Sequence, residues 1–279
     1  MKKEKKTIFI TGASSGIGRE TAIKLAKDGN LVFAGIRRKI DKNEIESLNP
    51  DIKGVYIDVT NPSSIDKAFW YVLKNTDKLD VLINNAGIVE AFPIELIDLK
   101  RLKEQFEVNT FGAVLVTQRF LQLLEHGKVI NISSMAASGI FPYISPYCAS
   151  KRAMDILMNS FALENKNKIK VISIKPAAIK TPIWEKSVKK GEEAFLQIKP
   201  SDRNKYQKEF EYIKKQALDS GKKGIDTYKA VEKIIEVIYS KNPKSSYNIG
   251  ANAVFADILS KLPQDFLNAL IKIKLNLIK

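Results

Sequence analysis

Short apolar runs alternate with longer stretches of helical spacing from the start of the chain to about residue 182. The runs read TIFIT (7–11), LVFAG (31–35), GVYID (54–58), DVLINNAG (80–87), KVINIS (128–133) and KVISIK (170–175), and a seventh, SYNIG (246–250), follows much later. Each is β-branched or otherwise apolar without strict alternation, the pattern of a strand covered on both faces. Between them, segments such as GRETAIKLAKDGN and SSIDKAFWYVLKNTD show helical spacing with terminal Gly or Asn signals. This alternation predicts an α/β protein: a doubly wound parallel sheet of about seven strands, joined by right-handed crossovers and flanked by helices. No solenoid-period repeat, low-complexity linker or composition break divides the sequence, which predicts a single domain over residues 1–279.

Composition narrows the chemistry. With 44% apolar residues among 279, the chain has enough to bury a sizeable core. The lone Cys148 excludes an internal disulfide and any multi-cysteine metal site, and the lone His126 leaves no His-rich one, so no metal is expected. His126 lies in LEHGK between a helix end and a strand, where it is expected to cap the helix rather than react. The formal net charge is +15, yet lysines and acids are interleaved; between Glu185 and Lys223 stand 11 basic and 7 acidic residues. No nucleic-acid motif accompanies them, so the charge reads as a solvated lysine-rich surface and no nucleic-acid partner is expected. MKKEKKTIFITG contains no signal-like apolar region, and no stretch reaches the ~20 apolar residues of a membrane span, so the expectation is a cytoplasmic protein.

Two segments carry candidate chemistry. In SPYCASKRAMD (145–155), Ser145 is expected to cap a helix, with Pro146 in its first position. Tyr147 and Lys151 then stand at i and i+4 on one face. The positive end of the helix dipole and the neighbouring ammonium both favour phenolate, so the pKa of Tyr147 is expected below its usual ~10. The second segment, TGASSGIGRE, places glycines at 12, 16 and 18 between the first apolar run and a helix. Small residues there let the backbone turn sharply and present helix N–H groups to a diphosphate.

Taken in order, TGASSGIG, NNAG (84–87), Asn109 in EVNTFG, NISS (131–134) and YCASK (147–151) resemble the motif series of the short-chain dehydrogenases/reductases, with 13 residues from Ser134 to Tyr147. The likeness covers about residues 7–182 and, more loosely, the run near residue 248. It implies a Rossmann-type fold and an oxidoreductase of hydroxyl and carbonyl groups on a small-molecule substrate; a homo-oligomer is also expected. Tyr147 would be the general acid/base, and Lys151 would lower its pKa and bind the nicotinamide ribose. Ser134 would donate to the substrate oxygen, and Asn109 would hold a water linking the lysine to solvent. Ser133 matches the family spacing less well. Gly12, Ser14, Ser15, Gly16, Ile17 and Gly18 would hold the cofactor, with Asn85, Ala86 and Gly87 lining it, Asp58 and Val59 at the adenine, and Ile179 and Thr181 at the carboxamide. One departure is Ala177, where relatives have glycine after Pro176. Alanine tolerates positive φ poorly, so this loop is expected to sit differently.

The second run ends in VFAGIRRK, with no acid before Asp41. An acid at this point suits the ribose 2′-hydroxyl of NAD, whereas an arginine accommodates the 2′-phosphate of NADP. NADP is therefore expected over NAD, with Arg37 on the phosphate and Ser15 adding a hydroxyl; the alternative is that Arg37 and Arg38 are merely solvated. Residues at about 183–225 would form a lid, in which Trp184, Phe195, Tyr206 and Phe210 either line a pocket or pack the lid itself. The wording of AIKTPIWEKS resembles family members acting on hydrophobic alcohols and ketones, such as steroid or retinol dehydrogenases. An NADP-binding regulator without turnover is the alternative function. In the tail, about residues 262–279, Asp265, Asn268, Lys272, Asn276 and Lys279 share a narrow helical face and apolar residues fill much of the rest. That helix is expected to bury itself over the substrate cleft or against a second subunit, with a membrane surface as the alternative.

Overall fold

The computed structural model describes residues 4–166 and 168–276. Its strands are β1 (Thr7–Ile10), β2 (Leu31–Ile36), β3 (Ile52–Tyr56), β4 (Val81–Asn84), β5 (Lys128–Ile132), β6 (Lys170–Pro176) and β7 (Ser246–Ile249). They form one parallel sheet in the order β3-β2-β1-β4-β5-β6-β7. The α-helices are α1 (Gly16–Lys27), α2 (Ile40–Ser47), α3 (Pro62–Leu73), α4 (Leu99–Phe106), α5 (Gly112–Phe120), α6 (Ser145–Glu164), α7 (Ile183–Gln197), α8 (Pro200–Lys223), α9 (Thr227–Tyr239), α10 (Ala251–Leu259) and α11 (Gln264–Asn276). The doubly wound Rossmann-type sheet expected from the alternation is thus present. β3 begins two residues before its apolar run, because pairing with β2 starts at Val32↔Ile52 and carries the polar Lys53 along.

The strands lack polar alternation because both faces are covered. Ile8 and Ile10 of β1 and Val32 and Ala34 of β2 point into a cluster with Leu25 of α1 and Ile234 and Ile238 of α9. Phe9 and Phe33, one position on, point the other way into a cluster with Phe69 of α3, Phe120 of α5 and Met154 and Met158 of α6. Phe9 stacks on Phe120 at a centroid distance of 4.6 Å, and Phe69 meets Phe120 edge-on at 5.5 Å. Each fully buried side chain of this kind contributes roughly 1.5–3 kcal/mol. Asn61 caps α3 by accepting from the Ser64 N–H at 3.1 Å, and Asp98 caps α4 by accepting from the Arg101 N–H at 2.9 Å.

The sheet order reverses between β1 and β4, where connections leave in opposite directions and open a crevice beyond the strand ends. The loop after β1, the loop after β4 and the start of α6 all lie at this end. Over it fold α7 and α8, joined through a satellite cluster of Phe92, Ala194, Phe195 and Phe210. The buried Glu90 pairs with Arg101 and with Lys190 of α7, and so ties that helix to the body.

Candidate active site

The loop after β1 turns through Gly12 at φ 67, and a side chain there would bring Cβ within 2.8 Å of the Ala86 Cα. Glycine is required on both counts. The two loops flanking the switch point are fastened together. Asn85 Nδ2 donates to the carbonyls of Thr11 and Gly12 at 3.0 and 2.9 Å, and the Thr11 hydroxyl accepts from the backbone N–H groups of Asn85 and Ala86. A cavity of about 1020 Å³ opens above them, lined by Gly12, Ser14, Ser15, Gly16 and Ile17 from the first loop and by Asn85, Ala86 and Gly87 from the second. Asp58, Val59, Ile179 and Thr181 also reach it.

Gly18, expected on the cofactor, does not line the cavity. Its Cα packs so tightly on Asn85 that an added Cβ would overlap the amide and lie 2.6 Å from the Gly12 carbonyl oxygen. It sets the approach of α1 to the loop instead. Of the two arginines after β2, Arg38 is held by Asp41 through bonds of 3.0 and 2.6 Å, whereas Arg37 lines the cavity without a carboxylate partner among the described residues. Lys186 of α7 is not among the residues that the sequence singles out. It lines the same region and donates to Ser15 Oγ at 3.4 Å. No local pattern could flag it, since 171 residues separate the pair.

On the opposite wall, Ser134, Tyr147 and Lys151 come together at the cavity. Ser134 follows the end of β5, and its hydroxyl accepts from the Ala136 N–H at 3.1 Å, which leaves its own proton free to be donated. Ser133, one residue earlier, is engaged elsewhere, donating to the buried Asp155 at 3.0 Å. Lys151 is buried, and its Nζ donates to the Ile132 carbonyl at 2.8 Å. Burial lowers its pKa to about 8, with Asp155 opposing. Asn109 lies in a π-turn, Glu107–Phe111, and does not reach the cavity. It accepts from the Ile88 N–H at 2.8 Å and donates to the Ile88 carbonyl and Ser150, locking the loop after β4 to α6.

Two local expectations change. Ser145 is the first residue of α6 and Pro146 the second; Ile144 holds the N-cap position, and no side chain caps the helix. The pKa of Tyr147 is not lowered but pushed up to about 12. Burial is the main cause, against which the nearby Ser134 hydroxyl pulls downward; Cys148 adds a further upward push. Tyr147 keeps partial exposure to the cavity, yet the surrounding protein removes enough solvation to raise its pKa. The same burial makes the ammonium of Lys151, expected to stabilise phenolate, easier to discharge.

Beyond Tyr147 the cavity continues beneath α7 and α8. The four aromatics of the expected lid divide: Phe195 and Phe210 are buried and stack at 4.1 Å, Tyr206 donates to Glu95 at 2.6 Å, and of the four only Trp184 lines the cavity, its Nε1 donating to the Ile179 carbonyl at 2.7 Å. Tyr212, Ile213 and Ala217 of α8 add to the wall. Tyr143 joins it from a left-handed backbone at φ 69, its carbonyl accepting from the Phe92 N–H at 2.7 Å. Ala177 has no positive φ; its N–H donates to the Ile249 carbonyl at 2.9 Å and prolongs the β6–β7 pairing, while Gly250 takes the φ of 90. The alanine is therefore unstrained.

α11 covers part of the opening with Leu267, Leu270, Ile271 and Leu275; Lys279, expected on its polar face, lies outside the described residues. His126 takes φ 59 in the turn before β5 and does not line the cavity. Among the described residues no cluster of metal-ligating side chains occurs, and no helix is long and apolar enough to cross a membrane.

Comparison with known proteins bears on this arrangement. Residues 6–192 match the short chain dehydrogenase family. The chain is 32% identical over 249 residues to an NADPH-dependent 3-dehydrocapnine reductase of Ornithobacterium rhinotracheale, covering 85% of this chain and 86% of that protein. It is 33% identical over 269 residues to estradiol 17-beta-dehydrogenase 2 of Rattus norvegicus, covering 88% of this chain and 68% of the relative. A crystal structure of a short-chain dehydrogenase from Streptomyces avermitilis superposes with a TM-score of 0.77 over 99% of this chain and 98% of its own, at 24% identity, a likeness of fold.

Proposed function

The chain belongs to the short-chain dehydrogenase family, and on that premise we propose that it reduces a ketone on a lipophilic substrate, or oxidises the matching alcohol, with NADP(H). The observation that carries this reading is one cavity with two unlike ends. One holds the glycine loop, Arg37 and Lys186; the other gathers Ser134, Tyr147 and Lys151 beneath an apolar lid. The positive φ at Gly12, the close packing at Ala86 and the Arg37 guanidinium, which faces no carboxylate among the described residues, fit a dinucleotide carrying a 2′-phosphate. The 3-dehydrocapnine reductase named above is NADPH-dependent, which supports the same choice.

A bound nicotinamide supplies or accepts the hydride. The Tyr147 hydroxyl donates the proton to the carbonyl oxygen, and its raised pKa keeps it protonated at neutral pH, the form that reduction requires. Ser134 donates a second hydrogen bond to the same oxygen and so stabilises the charge that develops there. Lys151, fixed by Ile132, presents its remaining N–H donors to the ribose and to Tyr147. Asn109 positions the loop bearing Gly87 through its hydrogen bonds to Ile88 and Ser150.

Among the described residues the charged side chains in the lining are Arg37, Asp58, Lys151 and Lys186, none of which stands in the wall formed by Tyr143, Trp184, Ile213, Phe255, Leu270 and Ile271. An uncharged wall favours an apolar substrate body, in line with the steroid named for the rat relative. Phe111 and Leu115 near the start of α5 and Ile156, Leu157 and Leu163 of α6 form an exposed apolar stripe, which we assign to a second copy of the chain. Sedimentation would show a dimer that Leu157→Glu dissociates. The functional reading is tested by following NADPH oxidation over a panel of ketones of increasing chain length. Turnover that strengthens with apolar length supports it; no turnover with any ketone, despite NADPH binding, overturns it.

A further inference from the structure

The cavity does not end inside the protein. Phe255 of α10 is 61% exposed and Leu270 of α11 is 42% exposed, and both also line the cavity, so its mouth opens among apolar side chains. Around that mouth Val254, Ile258, Phe266 and Ile273 are exposed as well, and none of these four lines the cavity. The two helices thus turn one set of apolar groups inward and leave another facing out. An exposed apolar patch of this kind beside a pocket marks a docking surface.

We propose that the α10–α11 face docks on an anionic lipid bilayer and that the substrate enters the cavity from the membrane. Three observations favour this occupant. The patch is continuous with the cavity through Phe255 and Leu270, so an apolar molecule passes from one to the other without crossing water. Over residues 251–276 the lysines at 261, 272 and 274 outnumber the aspartates at 257 and 265 by three to two, on a chain of net charge +15; Lys261 and Lys272 are exposed, and Asp257 faces Lys261 at 3.8 Å. A second copy of the chain has a separate apolar stripe on α5 and α6 to occupy. Exposed apolar side chains flanked by lysines bind at the headgroup boundary, and the attraction grows with anionic lipid.

The proposal rests on the reading of the cavity as a site for lipophilic molecules, but its test needs no turnover. The full chain is mixed with vesicles of phosphatidylcholine, with or without phosphatidylglycerol, and floated through a density gradient. The expected result is flotation with the anionic vesicles, at least about tenfold above the neutral ones, reduced in Lys261→Ala/Lys272→Ala. Phe266→Asp/Ile273→Asp should abolish flotation while retaining turnover of a short, water-soluble ketone. Ile258→Asp is the second variant should that pair fail to fold. Absence of flotation by the wild-type chain overturns the proposal, as does undiminished flotation of the folded variants. Conversion of a dimer to a monomer by these variants, without any change in flotation, assigns the face to a second copy instead. Failure of every ketone in solution would sink the functional reading alone and leave the flotation result standing.

Discussion

Replacing Arg37 by alanine removes the one guanidinium after β2 that lines the cavity without a carboxylate partner among the described residues. A charge-assisted hydrogen bond to a phosphate is worth roughly 1.5–3 kcal/mol. Arg37 is exposed, so solvent screening places it near the lower end of that range. At about 1.4 kcal/mol per decade, NADPH affinity should fall about 10- to 30-fold. Lys186, beside Ser15, remains to hold part of the phosphate charge and keeps the loss from growing further. NADH lacks the 2′-phosphate, and its affinity should stay unchanged. Arg38→Ala serves as the comparison, because that side chain is already engaged by Asp41. Titrating each protein with NADPH and NADH, followed by cofactor fluorescence, measures the difference; added salt should narrow it. Equal losses for both cofactors, or a wild-type preference for NADH, would refute the assignment of Arg37.

Two further outcomes follow from the geometry. With Tyr147 protonated up to about pH 12 and Lys151 losing its ammonium proton through about pH 8, ketone reduction should be level below about pH 8 and decline above it; alcohol oxidation, which needs the tyrosine as base, should gain as pH rises. A reduction rate that climbs steadily with pH across this range would contradict the roles given to both groups. Gly18→Ala should displace Asn85 from the first loop, since the new Cβ would overlap its amide, and should lower both thermal stability and cofactor affinity; a variant with wild-type values for both would show that the packing is not needed.

The sheet was legible because a strand covered on both faces leaves a dense apolar run, and the seven runs correspond to the seven strands. Tyr147 and Lys151 were legible through spacing, which a helix converts directly into proximity, whereas Ser134 was picked out only by the family resemblance. What spacing could not convey was solvation: the i, i+4 relation of Tyr147 and Lys151 says nothing of the protein around them, and burial reversed the expected direction of the tyrosine's shift. Ser145 looked like a cap on residue type alone, whereas the backbone enters α6 at Ile144. Phe195 and Trp184 share one helix and one apolar character; only the packing of α8 against α7 sends Phe195 to Phe210 and leaves Trp184 at the cavity. Lys186 escaped notice for the same reason, its partner Ser15 being distant in sequence.

Tyr147 is assigned the delivery of the proton in a hydride-transfer reaction. Single-turnover oxidation of bound NADPH, compared between the wild-type chain and Tyr147→Phe in the presence of a ketone that the wild type reduces, tests it most directly. The phenylalanine keeps the ring and removes only the hydroxyl, so NADPH affinity should be unchanged while the rate of transfer falls by ~10² to 10⁴-fold, the usual contribution of general acid catalysis. A Tyr147→Phe rate within about tenfold of the wild type would contradict the account.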